Sequence, residues 1–213
     1  SSDVCSSDLV SGALKTCASS LSKICNDLRL LSSGPHAGLG EINLPPKQNG
    51  SSIMPGKINP VIPEVVSQVA FNVIGNDVTV TMAAEAGQLE LNAFEPVIFY
   101  KIFESIDTLG GAVTTLIDNC VLGITANRDR CRRLVETSSA LATALCPSLG
   151  YKLSAEIAKK ALSTGIPVRQ IVLEEGLMTQ EQLDRCLNLK DMTQPGHLVE
   201  NRKIGAGKSE KTE

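Results

Sequence analysis

The chain has 213 residues, 42% of them hydrophobic, and a formal net charge of -3, which suits one or two ordinary globular domains and leaves no electrostatic footprint for nucleic acid or an anionic membrane surface. No apolar run approaches the roughly 18 residues of a membrane span and the N-terminus lacks signal-peptide order, so the expected setting is cytoplasmic. Seven scattered cysteines without a Cys-x-x-Cys pair, and only His36 and His197 as histidines, exclude a disulfide framework or a zinc site as the organising feature.

Residues 1–12 open with near-repeated Ser-Ser-Asp triplets and carry no amphipathic period, so they read as a non-native or disordered leader. From Leu14 the apolar residues Leu14, Ala18, Leu21, Ile24, Leu28 and Leu31 recur at three- and four-residue steps, the period of a helix burying one face, until Gly34-Pro35 ends it. Residues 34 to 60 are rich in Gly and Pro, without period; an irregular stretch of that length is usually functional or disordered. Val61, Val65, Val66, Val69 and Val73 then begin a helix reaching about Ala86. It is apolar on more than one side, as suits the interior of a bundle. Another helix spans about Glu95 to Val121, with Ile98, Ile102, Ile106, Leu109, Val113, Leu116 and Cys120 on one stripe.

After Gly123 the elements shorten. Asn127 is placed to cap a helix running to about Leu145, Ser154 to cap 155–163, and Pro167 to open a short helix ending at Gly176. Thr179 with Gln182 forms a capping box for 180–187. The tail beyond Pro195 mixes charges with Gly and Ser and has nothing to bury, so disorder is expected there. With Trp absent and aromatics at 3%, the core must be aliphatic. The fold class predicted is all-α: part of a bundle over 13–126 carrying a loop at 50–60, a small helical domain over 127–196, and a tail over 197–213.

The loop concentrates chemistry. Gly50-Ser51-Ser52-Ile53-Met54-Pro55-Gly56-Lys57-Ile58-Asn59-Pro60 gathers two hydroxyls, an ammonium and an amide just before a helix N-terminus, where oriented N–H groups favour negative charge. On spacing alone it is an anion-gripping loop or a Ser/Gly linker with an incidental lysine. Glu64, five residues past Asn59, is by itself an ordinary first-turn glutamate favoured by the helix dipole.

This stretch resembles the signature of the aspartase/fumarase superfamily, and the resemblance extends from about Ala13 to about Pro195, including the run Lys23 to Pro35, Gly40-Glu41-Ile42 and Gly75-Asn76-Asp77. It implies the long helical bundle and small C-terminal domain of those lyases, assembled as homotetramers. It implies Ser51 as general base, Ser52, Lys57 and Asn59 as contacts to a substrate carboxylate with Lys57 also catalytic, and Glu64 as the acidic partner of a histidine from an earlier segment. Spacing alone leaves Ser51 and Ser52 equivalent. The run from Thr79 to Asn92, with Glu95-Pro96 after it, is closer to the aspartase form. That implies elimination of ammonia from L-aspartate to fumarate, with malate/fumarate hydration by a class II fumarase as the alternative. No organic cofactor and no metal site is implied; some aspartases respond to a divalent cation, but no ligand cluster here marks a place for one. His36 stands where relatives carry arginine, a departure that bears on loop setting and pH response.

Enzymes of this superfamily build each site from three segments in three subunits, and the two earlier segments have no counterpart in these 213 residues. A second reading follows: the chain by itself is a structural or interaction fragment, inactive until completed.

Overall fold

The computed structural model describes residues 2–48, 54 and 56–194, with side chains from residue 6 onward. It divides into two compact units between Asn127 and Arg128. Among the described residues it is all-α apart from one two-residue strand pairing and an isolated bridge between Gln88 and Leu91.

Three long helices make the first unit: α1 (Ser2–Leu31), α2 (Val61–Glu85) and α3 (Glu95–Asn119). Their buried residues give the direction of packing. Cys25 on α1 clusters with Val66 on α2 and with Ala112, Leu116 and Cys120 at the end of α3. Ala18 meets Ala70, Val73 and Leu109. Val80 and Ala83 meet Ile98 and Ile102, with Leu14 packed alongside. As α1 advances, its α2 partners recede, and α2 and α3 are related in the same way, so neighbouring helices run antiparallel. Alanines at 18, 70 and 112 let the backbones approach closely.

Polar groups inside the bundle fix the register. Asp77, only 4% exposed, accepts from Ser11 Oγ at 2.8 Å and Lys15 Nζ at 2.5 Å, tying α2 to α1. Its neighbour Asn76 turns to α3, donating to Glu104 at 2.9 Å and Ser105 at 3.1 Å. Lys101 also reaches Glu104, and these two hydrogen bonds, Lys101's first and Asn76's second, hold the Glu104 carboxyl below its usual range.

The start of α1 corrects the sequence reading. Residues 2–12 are helical instead of a disordered leader. Serine has modest helix propensity and the segment has no apolar stripe, but Ser11 and Lys15 find a partner 66 and 62 residues away, which no local pattern reveals. A second unforeseen feature closes the unit: β1 (Ile42–Asn43) pairs antiparallel with β2 (Thr125–Ala126). Beside it, Asn43 and Asn127 exchange amide hydrogen bonds at 2.7 and 3.0 Å while Asn127 also donates to Gly40 O at 2.9 Å. This latch ties residues 40–43, at the base of the irregular segment, to the end of the unit.

The second unit contains α4 (Arg128–Glu136), a 3-10 turn (Ser139–Leu145), α5 (Cys146–Leu149), α6 (Tyr151–Thr164), α7 (Val168–Glu174), α8 (Gln180–Cys186) and α9 (Leu189–Met192). The single helix expected from Asn127 to Leu145 is broken at Thr137-Ser138. Thr137 bonds back to Arg133 O at 2.8 Å, and Ser138 accepts from Ala140 N at 3.2 Å, starting the 3-10 turn. Ser154 does not cap a helix. It lies inside α6, buried, with its hydroxyl donating to Gly150 O at 2.8 Å, while Gly150 at φ 79° opens the helix. The capping box is as expected: Thr179 N donates to Gln182 Oε1 at 3.0 Å and Gln182 N to Thr179 Oγ1 at 3.3 Å. Leu145, Ile157, Ile171, Val172, Leu183 and Cys186 form the centre of this core; each large aliphatic side chain so buried contributes about 1.5–3 kcal/mol against exposure. The tail from Pro195 lies outside the described residues.

Candidate active site

Lys57, Asn59 and Glu64 sit where the irregular segment enters α2. The backbone turns at Gly56, whose φ of 81° belongs to the left-handed region that glycine enters without a Cβ penalty. Lys57 N then donates to Met54 O at 3.2 Å, closing a turn. Val61 N bonds Asn59 O at 2.9 Å and Glu64 N bonds Pro60 O at 3.2 Å, so Pro60 acts as N-cap and the first helical turn follows immediately. Pro63, also in that turn, removes an N–H that would have no intrahelical acceptor. Lys57 is exposed, Asn59 half-buried. A primary amine and an amide therefore stand at the positive end of a 25-residue helix, which suits a carboxylate ligand.

Glu64 faces α1. Arg29, in the last turn of that helix, brings a guanidinium nitrogen to 3.7 Å from Glu64 Oε1. The loop motif gives no hint of this contact, which depends on the antiparallel pairing of two helices and joins residues 35 apart in sequence. Under Arg29 lies Cys25, fully buried, its thiol pushed up to about 11 mainly by burial and secondarily by Cys120. Ser51 and Ser52, with Gly50, Ile53 and Pro55, lie outside the described residues. His36 is exposed in the bend after the cis Gly34–Pro35 peptide.

The α2–α3 corner, whose sequence favours the aspartase form, is built on Asn92. Its Nδ2 donates to Ala83 O at 2.9 Å at the end of α2, and its Oδ1 accepts from Phe94 N at 2.8 Å at the start of α3. Among the described residues no group of three or more His, Cys, Asp or Glu is placed to hold a metal ion, and no helix is long and apolar enough to cross a membrane.

Known lyases resemble this chain in sequence and in fold. A family model described as "Lyase" matches residues 8–75, and one described as "Fumarase C C-terminus" matches residues 141–194. Over these residues the chain is similar to lyases of the aspartase/fumarase superfamily. It is 58% identical over 183 residues to an aspartate ammonia-lyase of Corynebacterium glutamicum, covering 86% of this chain and 35% of that protein. A solved fumarate lyase:delta crystallin of Brucella melitensis bound to cobalt superposes with TM-score 0.84 at 56% identity, over 89% of this chain and 41% of that one. A class II fumarase from Schistosoma mansoni superposes with TM-score 0.78 at 38% identity, over 83% and 37% of the two chains. The chain thus spans well under half the length of these relatives.

Proposed function

We propose that this chain supplies the proton-abstracting and carboxylate-holding arm of an aspartate ammonia-lyase. The difficult step is removal of a weakly acidic Cβ proton from L-aspartate. The base takes the proton and the C–H electron pair passes into the adjacent carboxylate as an aci-carboxylate with a second negative charge; the pair then returns to form the Cα–Cβ double bond as the Cα–N bond breaks, releasing fumarate and ammonia, which takes up a proton to become ammonium. Donors aimed at the place where charge develops supply the largest catalytic share, and each is worth about 10²–10³ in rate.

Ser51 is the base, its alkoxide favoured by neighbouring N–H groups and a cation in a site closed to water. Ser52, Lys57 and Asn59 grip the carboxylate. Glu64 pairs with a histidine supplied from elsewhere in the enzyme. The single observation that carries this reading is the Lys57–Asn59 pair at the α2 N-terminus within a chain 58% identical to an aspartate ammonia-lyase. The likeness to a class II fumarase favours one alternative, water in place of ammonia as leaving group.

Assembly as a homotetramer belongs to the same proposal. All six aromatic residues of the chain are exposed: Phe71, Phe94, Phe99, Tyr100 and Phe103 at α2, α3 and the corner between them, and Tyr151 in the second unit. The first five, with Val78, Met82 and Ile106, leave the first unit more apolar outside than a solvated surface carries. Bundling against other copies would bury them; the cytoplasmic setting expected from the sequence belongs to the same proposal.

The test joins this chain to the upstream portion of the Corynebacterium relative and follows fumarate absorbance with L-aspartate and with L-malate in parallel. Turnover of aspartate alone supports the proposal. Turnover of malate alone replaces it with the fumarase reading.

A further inference from the structure

Arg29 and Glu64 meet because the register of two helices is fixed at a distance. From Lys15 to Arg29 is 14 residues along α1, and from Asp77 back to Glu64 is 13 along α2, so at about 1.5 Å per residue the two contacts are roughly 20 Å apart on both helices. Arg29 is held on its own helix too, one terminal nitrogen lying 3.4 Å from the Asn26 side-chain oxygen. Cys25 below it keeps a neutral thiol near pH 7. Among the described residues, the anion within ion-pair distance of Arg29 is Glu64.

The two side chains are 42% and 37% exposed. An ion pair so open to water contributes little to stability, which makes a purely structural role a weak explanation of the arrangement. A guanidinium is planar, always charged and carries several donors, so it can keep one carboxylate oriented while anchored elsewhere. The geometry points to Arg29 as a positioning residue: from the α1 side it holds the Glu64 carboxylate aimed, at the foot of the arm bearing Lys57 and Asn59. This rests on the reading of Glu64 as the acidic partner of a catalytic histidine. Arg29 touches no reacting atom; its effect passes through Glu64.

The test uses the completed enzyme with Arg29→Gln, Arg29→Lys, Glu64→Gln and the double variant Arg29→Gln/Glu64→Gln, measuring kcat, KM and the thermal midpoint. The contact is half exposed, so each variant is expected to fold. Arg29→Gln lowers kcat about three- to ten-fold with KM within about two-fold, Arg29→Lys recovers most of that loss, and Arg29→Gln costs nothing further once Glu64 is already Gln. A normal kcat for Arg29→Gln, or losses that multiply in the double variant, overturns the positioning role while leaving Glu64 its own. A normal kcat for Glu64→Gln overturns the reading of Glu64 itself.

Discussion

Asp77→Ala tests the joint on which the active-site register depends. The carboxylate is 6% exposed and accepts a hydroxyl from Ser11 at 2.8 Å and an ammonium from Lys15 at 2.5 Å. Its removal deletes a charge-assisted hydrogen bond, worth about 1.5–3 kcal/mol, and leaves the buried Ser11 hydroxyl without its acceptor, at about 1–3 kcal/mol. Two effects offset part of this. Lys15 is 46% exposed and can turn into water, and the cost of keeping a carboxylate dry disappears. The net expectation is a loss of about 2 kcal/mol, read as a lower urea midpoint in the completed enzyme with unchanged slope. Adding Ser11→Ala should recover part of it, since both partners are then gone. A loss below about 0.5 kcal/mol, or no recovery in the double variant, would refute the account of how α1 and α2 are aligned.

Other expectations follow from single contacts. Thr179→Ala removes the capping box of α8 and should cost about 1 kcal/mol, lowering the thermal midpoint of the second unit. Leu183→Ala, at a fully buried position, should cost about 2–5 kcal/mol in the same measurement. Glu104 is held below the usual carboxylate range, so the stability it contributes is fully present above its unfolded value, about pH 4.3, and fades as pH falls through the lower folded value; Glu104→Gln should flatten the acid limb of a stability–pH curve. With iodoacetamide at pH 8, mass spectrometry should find exposed Cys17 alkylated and buried Cys25 and Cys120, whose thiols burial pushes up, unmodified in the folded protein.

The long helices were legible because a 3.6-residue apolar period sustained over many turns has no competing explanation. α2 and α3 start at Val61 and Glu95, where Pro60 and Glu95-Pro96 mark them. Short-range polar signals were legible only where two residues agreed. Thr179 with Gln182 named a cap correctly, whereas lone Ser154 was misread because a serine hydroxyl bonds a preceding carbonyl inside a helix as readily as it caps one. Asn127 also donates its amide to Gly40 and Asn43, more than 80 residues away, contacts that no local pattern reveals. Residues 2–12 were missed for the opposite reason: their helix is anchored by a remote carboxylate and carries no stripe of its own. In the candidate site, the proximity of Lys57, Asn59 and Glu64 to the start of α2 was visible since eight consecutive residues hold all three. Arg29 was not, because only antiparallel packing brings it to Glu64.

On the proposed function, the loop ahead of α2 removes a proton from the substrate. The most direct test is Ser51→Ala in the completed enzyme, measured as fumarate production from L-aspartate together with exchange of the Cβ proton into deuterated water. Both should be abolished while aspartate still binds within a few-fold of its original affinity. Near-normal turnover, or Cβ exchange persisting at the original rate, would contradict that function.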